Sequence, residues 1–209
     1  DGDNLINILV YDLSSDSSSG GMLGYFWSKD YYSPKGSFTD SGTEYYSNKA
    51  EIFYLDTYWL DSEPDTIYST LIHEFQHMIN FIRKSIQHDL SSSPFYNEML
   101  SQAAEETIGT KIGIPDSNLP WQGRMNLFTD SYGRYSLTSW QTSPGYPNLS
   151  SYAITYAFGS YLLHNFGGAA LLAAMEANSK TNINSVVDAV NTVNGTSYTF
   201  ADIYDRFGE

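Results

Sequence analysis

Two histidines and a glutamate lie within one helical turn in the segment His73-Glu74-Phe75-Gln76-His77. On an α-helix, His73 and His77 are only about 40° apart around the axis, so both imidazoles can reach one metal ion. Glu74 is rotated toward the same edge and can reach a water molecule on that ion. Two histidine ligands with a neighbouring glutamate as general base are the parts of a zinc site that activates water for hydrolysis.

A catalytic zinc ion takes three protein ligands and leaves one position for water. The chain contains no cysteine, so the third ligand must be a histidine, an aspartate or a glutamate. Glu98 is the best candidate, because it follows His77 by 21 residues on the next predicted helix. Two helices joined by a short loop can pack antiparallel and bring their inner faces together. Glu105, Glu106 and a downstream histidine are the alternatives.

Two further polar residues share the helical face of Glu98. Gln102 and Glu105 follow it by four and seven residues, and either could accept the free N–H of a ligand histidine. Glu105 suits this role better, because a carboxylate raises the basicity of the imidazole. The alternative interpretation of Glu105 is a solvated charge on the protein surface.

A pentapeptide of this kind also arises by chance, usually on an exposed helix. Here Leu71, Ile72, Phe75 and Ile79 predict a largely buried helix. Buried imidazoles and a buried carboxyl group are costly without partners, so the pattern favours a metal site over coincidence.

The bulk composition excludes several classes of partner. The 209 residues carry a net charge of −14, which argues against binding to nucleic acid or to anionic membranes. Since no apolar run reaches 18 residues, we expect no membrane insertion. The acidic, Ser-, Tyr- and Asn-rich composition is typical of a secreted bacterial protein, and we expect a monomer. The polar start at Asp1, without an initiator methionine, suggests a mature or trimmed fragment of a longer protein.

Strand patterns come early in the chain and helical patterns late, which predicts an α+β fold rather than alternating βαβ units. Strands are predicted at residues 5–11, 24–27 and 51–56. A helix capped by Asp65 should run to about Lys84, and a second from Pro94 should stop at Gly109. Residues 113–150 should be irregular, with candidate short strands around 126–135, before helices near 152–165, 168–177, 182–193 and 199–207.

This order of elements predicts two lobes within one catalytic domain. Residues 1–86 would form an N-terminal lobe, with a small mixed sheet and the active-site helix. Residues 87–209 would form a mostly helical C-terminal lobe that carries the third ligand. A cleft should lie where the lobes meet, beside the helix of His73 and His77.

The combination of His-Glu-x-x-His with Asn97-Glu98 on the next helix resembles the gluzincins, and the longer strings resemble the hyicolysin family of bacterial secreted metallopeptidases. The strings are residues 71–81 (LIHEFQHMINF) and 97–101 (NEMLS), with an upstream block at 24–27, 47–48 and 53–56. The similarity covers roughly residues 5–170. It implies a zincin-like fold, zinc bound by His73, His77 and Glu98, and Glu74 as catalytic base. The spacing from His77 to Glu98 is slightly longer than in the thermolysin and aminopeptidase branches.

The same resemblance implies a transition-state donor and a substrate-binding position. Gluzincins supply a tyrosine or histidine from the C-terminal lobe, and residues 156–159 (YAFG) are similar to their Tyr-x-x-Gly segment. Tyr156 is therefore the first choice, Tyr152 the second and His164 the third, although a tyrosine on an apolar helix commonly serves packing. The substrate-binding edge strand of gluzincins precedes the motif by some 25–30 residues, which makes Asn48 a candidate, or else a turn residue that opens a strand.

Three functions remain compatible with these residues. A secreted zinc endopeptidase acting on peptides or proteins is favoured, because a zinc-bearing adhesion or structural domain would not need Glu74. An aminopeptidase would need a group that holds the free amine of the substrate, and no segment of that kind is found. Asp1, Asp3 and Asn4, or Asp12 and Asp16, could also contribute to a Ca²⁺ site, although no complete calcium loop is present.

Overall fold

The structure is a computed structural model that describes residues 5–13, 21–32, 38–40, 43–141 and 148–208. It has an α+β fold, as predicted, in which short strands precede a series of helices. The strands are β1 (Asn7–Tyr11), β2 (Gly24–Phe26), β3 (Phe38–Asp40), β4 (Thr43–Tyr45) and β5 (Ile52–Asp56). The α-helices are α1 (Thr57–Ser62), α2 (Pro64–Asn80), α3 (Pro94–Ala104), α4 (Thr110–Ile112), α5 (Pro120–Ser131), α6 (Asn148–Phe166), α7 (Gly168–Ala177), α8 (Asn182–Asn194) and α9 (Phe200–Phe207).

A small mixed sheet with the order β1-β5-β2 forms the N-terminal part. Strand β1 is parallel to β5, whereas β2 is antiparallel to β5 with Phe26 opposite Phe53. The apolar run of β5 is buried on both faces, as expected for a central strand. All five residues of β1 are exposed, although the strand is almost entirely apolar. Strands β3 and β4 pair antiparallel in a separate two-stranded sheet.

The motif helix α2 begins one residue before the predicted cap. Pro64 occupies the first turn, where its missing N–H costs nothing, and Glu63 is the flanking residue. Asp65 lies inside the first turn, where its charge favours the helix dipole. The helix continues into a π-helical segment, Phe81–Ile86. Its predicted burial is only partly confirmed, because Phe75 is 41% exposed.

The predicted start of the next helix is confirmed, and its predicted end is wrong. Pro94 opens α3, and a π-helical segment (Glu105–Gly109) then leads into α4. Gly109 stays helical, with a backbone φ of −57°, and is therefore not the stop. Gly113 ends the run with φ +84°, a left-handed conformation that glycine adopts without a steric penalty.

The prediction of irregular structure throughout residues 113–150 is wrong, since residues 120–131 form α5. Pro120 at the first helical position is a start signal that the nearby glycines and prolines obscured. None of the residues in α5 is buried, so the apolar periodicity that normally reveals a helix is weak.

The main hydrophobic core lies in the helical part of the chain. All of its buried residues follow residue 94, and they come mainly from α3, α6, α7, α8 and α9. Phe158, Met99 and Leu171 are almost fully excluded from solvent at its centre. Helix α3 therefore links this core to the motif helix α2, against which it also packs.

Candidate active site

The motif side chains project from the middle of α2 toward α3. The rings of His73 and His77 lie one above the other, with centroids 4.6 Å apart and planes at 82°. This is the placement that residues four apart on one helix adopt. Both side chains are mostly buried, at 15% and 13% exposure.

Glu98 on α3 faces both imidazoles. Its carboxylate oxygens lie 3.1 Å from Nε2 of His73 and 3.6 Å from Nε2 of His77. The possible ligand atoms of the three residues all lie within 4.8 Å of one another. Across the described ranges, no other group of histidine and carboxylate side chains is close enough to hold an ion in this way.

The outward nitrogens of both histidines are occupied by different partners. Nδ1 of His73 lies 2.6 Å from Oε1 of Glu105, whose Oε2 accepts a hydrogen bond from Ser69 at 2.7 Å. Nδ1 of His77 lies 3.0 Å from the Ser101 hydroxyl. These contacts turn both Nε2 atoms toward Glu98. Sequence reasoning selected Glu105 but missed Ser101, which lies three residues after Glu98 on the same helical face.

The two imidazoles differ in electrostatic character because their partners differ. Burial opposes charging of His73, but the carboxylates of Glu105 and Glu98 outweigh it and raise its pKa well above the usual value. Burial and the neighbouring His73 lower the pKa of His77 to about 4. Burial also works against ionisation of Glu98, yet the two imidazoles keep its pKa below the usual value. At neutral pH these shifts leave His77 neutral, Glu98 ionised and His73 protonated, so a metal that binds Nε2 of His73 would displace a proton.

Glu74 is buried beside this group, and a hydrogen bond from strand β2 holds its carboxyl group in place. Its Oε2 accepts a hydrogen bond from the backbone N–H of Phe26, at 2.8 Å. Burial raises the pKa of Glu74 to about 7, although His73 and the Phe26 N–H act in the opposite direction. A carboxyl group with a pKa near neutrality is suited to take up and release a proton.

The three candidate donors from the C-terminal part occupy two different places. Tyr156 donates its hydroxyl hydrogen to Oε2 of Glu106 at 2.8 Å, and His164 lies 2.8 Å from Oε1 of the same carboxylate. Tyr152 instead interacts with Glu98, and burial raises its pKa. The guanidinium of Arg124 lies 5.0 Å from the centre of the Tyr152 ring. Of the three candidates, Tyr152 is thus the one that the structure brings to the group of His73, His77 and Glu98.

The side chains of Gln102 and Asn48 form hydrogen bonds with side chains other than those of His73, His77 and Glu98. The amide of Gln102 donates to Oγ1 of Thr155 at 3.1 Å and so joins α3 to α6. Asn48 donates from its side chain to the Tyr54 hydroxyl at 2.6 Å and from its backbone to Asp30 at 2.8 Å. Strand β2 approaches Glu74 through the Phe26 N–H, whereas Asn48 precedes β5, and its role in substrate binding stays a prediction.

Asp1, Asp3, Asn4 and Asp16 fall outside the described residues, so the calcium site remains a prediction. Among the described helices, none combines the length and the apolar content needed to cross a bilayer.

Comparisons with known proteins agree with the metal-site geometry. The family model described as Peptidase M30 matches residues 1–208. The neutral metalloprotease ShpI of Staphylococcus hyicus is 31% identical over 175 residues, which cover 78% of this chain and 35% of that protein. The chain therefore spans about a third of the length of this curated relative. The match over nearly the whole sequence confirms the predicted resemblance: the chain belongs to the Peptidase M30 family.

Proposed function

We propose that this chain is a secreted, zinc-dependent endopeptidase of the gluzincin type, with a zincin-like arrangement of sheet, motif helix and helical lobe. The observation that carries the proposal is the convergence of Nε2 of His73, Nε2 of His77 and the Glu98 carboxylate. Membership of a peptidase family and a metalloprotease among its relatives support the same reaction class.

The donor set fits zinc better than a hard cation. Two imidazole nitrogens and one carboxylate are a common ligand set of catalytic zinc, whereas calcium and magnesium prefer oxygen alone. Glu105 and Ser101 occupy the outward nitrogens of the two histidines and so hold the inward ones in place for a metal. A zinc ion held there would supply Lewis acidity, which polarises a peptide carbonyl and lowers the pKa of a water molecule.

Glu74 would act as the general base. Its carboxylate takes a proton from the attacking water and passes it to the leaving amine nitrogen. The hydrogen bond from Phe26 N–H occupies Oε2, which leaves Oε1 for the proton. Burial keeps the carboxylate from being stabilised by bulk water, so both transfers remain accessible near neutral pH.

Tyr152 is the best placed donor for the oxygen that becomes negatively charged in the transition state. Its ring is packed edge-on against Trp140 and lies beneath the Arg124 guanidinium, which fixes the phenol near Glu98. A hydrogen bond to the developing charge stabilises the transition state more than the substrate. Tyr156, the first choice from the sequence, would instead fix Glu106 next to Glu105.

The substrate would lie extended along β2. This strand pairs with β5 on one side, and within the described part of the chain no strand pairs with its other side. A peptide can add to such an edge through backbone hydrogen bonds. The substrate backbone would then pass Glu74, because the Phe26 N–H holds that carboxylate at the same strand.

The change Glu74→Gln tests the proposal. It keeps size and shape but removes the basic carboxylate, so kcat should fall by at least about 100-fold. Zinc content, measured by elemental analysis, should stay equal to that of the parent because no ligand is altered. Peptides blocked at both ends should be cleaved by the parent, as an endopeptidase requires.

Glu63→Gln supplies the matched control, since Glu63 is an exposed carboxyl at the start of the same helix. It should leave both turnover and zinc content unchanged. Full activity in Glu74→Gln would refute the role of Glu74. Absence of zinc from the active parent protein would refute the ligand set.

A further inference from the structure

A cavity of about 350 Å³ opens directly beside the candidate metal ligands. His77 and Glu98 form part of its wall, and Phe26 and Trp27 border it from the edge strand. A substrate residue whose side chain enters this cavity must therefore lie next to the bond that is cleaved. The cavity is thus a position from which the protein can select its substrate.

The wall of this cavity is polar but almost uncharged. Six of its lining residues carry a hydroxyl or an amide, and we name them the Ser/Asn pocket: Ser28, Asn80, Ser85, Ser91, Ser92 and Asn97. The aromatic rings of Phe26, Trp27 and Phe81 complete the wall. Among the described residues that line it, only His77 and Glu98 have ionisable side chains, and the proposed metal would engage both.

The hydroxyl of Ser92 supports a role in hydrogen bonding. Its Oγ is buried, and among the described residues it has no hydrogen-bond partner. A buried polar atom without a partner costs free energy that a suitable donor or acceptor would recover. Because Ser92 lines the pocket, an occupant can supply the missing partner.

We propose that the Ser/Asn pocket selects an uncharged polar side chain, such as that of Ser, Thr, Asn or Gln, on the substrate residue beside the scissile bond. The inference rests on the proposed peptidase function and adds its specificity. Hydroxyls and amides in the wall can exchange hydrogen bonds with such a side chain. A charged side chain would lose hydration without meeting a counter-charge, and a large aliphatic one would cover polar groups without bonding to them.

A peptide library randomised around the cleavage site provides the first test. With the parent protein, one position next to the cleaved bond should be enriched in Ser, Thr, Asn and Gln, and depleted in Asp, Glu, Lys and Arg. Ser92→Ala should weaken the preference for Asn over Leu at that position, because it removes the unpaired hydroxyl. No preference at either neighbouring position would overturn the inference.

Charge introduced at the rim of the pocket gives the sharper test. Ser91 is exposed, so Ser91→Asp and Ser91→Lys should fold normally. Relative to the parent, Ser91→Asp should raise the ratio of Lys to Asp at the selected position by about threefold or more. Ser91→Lys should lower the same ratio by a similar factor.

Ser62 is an exposed serine outside the pocket, and Ser62→Asp and Ser62→Lys serve as matched controls that should leave the ratio unchanged. Peptide cleavage with equal ratios in both Ser91 variants would overturn the pocket assignment alone. Absence of any cleavage by the zinc-loaded parent protein would overturn the peptidase function, and the specificity inference with it.

Discussion

The helical part of the molecule and its small sheet differ sharply in how they are stabilised. In the part of the chain that the structure describes, fifteen buried residues form one contiguous core on the helical side, and none of them belongs to a strand. In the sheet, β5 is buried, whereas every residue of β1 is exposed. Most of the apolar area that folding removes from water thus lies on the helical side.

This difference continues into the candidate active site. The helical side provides Glu98, Glu105 and Ser101, which hold the two histidines by side-chain contacts. The sheet side provides a backbone N–H at Phe26 and an open strand edge. Side-chain contacts thus hold the proposed ligands, whereas the sheet offers an open strand edge beside them. Such a division suits an enzyme that must keep its chemistry fixed while it accepts varied peptides.

Truncation of the helical core should produce the largest effect. Phe158 is fully buried, so Phe158→Ala should lower the free energy of unfolding by about 3–5 kcal/mol. Leu9 on β1 is 46% exposed, and Leu9→Ala should cost less than about 1 kcal/mol. Urea unfolding of the two variants measures both values. Equal losses would show that the sheet carries as much stability as the helical core.

The sequence predicted the elements that are marked by periodicity or by strong end signals. Apolar spacing and Ser93-Pro94 predicted α2 and α3, and the branched runs predicted β1 and β5. Helix α5 was missed because its apolar face is not buried. The helical run that starts at Pro94 was predicted to end at Gly109 but continues to Gly113. The division into lobes at residue 86 remains a prediction.

Within the site, spacing along one helix was more informative than contacts between helices. The four-residue interval of His73 and His77 follows from helix geometry alone, and the structure adds Glu98 from α3. Ser101 was missed because a serine in a helix has no distinctive pattern. Tyr156 was preferred to Tyr152 because of a resemblance to a family motif. The surroundings of the two tyrosines depend on how α6 packs on α3 and α5, and the sequence does not specify this packing.

Substitutions of the two tyrosines of α6, Tyr152 and Tyr156, should show which of them acts in catalysis and which only positions other side chains. Tyr152→Phe removes a donor to the developing negative charge, so kcat should fall by about 100-fold or more with little change in KM. Tyr156→Phe removes a bond to Glu106 that lies outside the site and should change kcat only slightly. Steady-state kinetics on a quenched peptide measures both. The reverse order of effects would restore Tyr156 as the donor.

Substitutions of Glu105 and Ser101, the outer partners of the two histidines, should show how firmly the helical side would hold the proposed metal. Glu105→Gln removes a charged partner of His73 and should weaken zinc binding by about 10- to 100-fold. Ser101→Ala removes a neutral partner of His77 and should have a smaller effect, because the lost hydrogen bond involves no carboxylate. Competition with a zinc chelator measures both affinities. Equal effects would show that the charge of Glu105 adds nothing.

A buried carboxyl group, that of Glu176, joins the motif helix to the helical part. Its substitution should give the smallest effect, a change in how stability depends on pH. Glu176 on α7 accepts hydrogen bonds from Gln76 at 2.5 Å and Asn80 at 3.1 Å through Oε1. Among the described residues its Oε2 has no partner. Burial raises the pKa of Glu176, although Asn80 and Lys84 act in the opposite direction.

Because this pKa is higher in the folded state, the folded protein holds a proton that the unfolded chain has already released. The contribution to stability is therefore present below the unfolded pKa of about 4.3 and is lost as pH rises through the folded value. Glu176→Gln keeps Oε1 as an acceptor and cannot ionise. Its stability relative to the parent should rise with pH, whereas Glu63→Gln should not reproduce this trend. Urea unfolding from about pH 4 to about pH 8 measures the difference, and a constant difference would show that Glu176 has the same pKa in the folded and unfolded states.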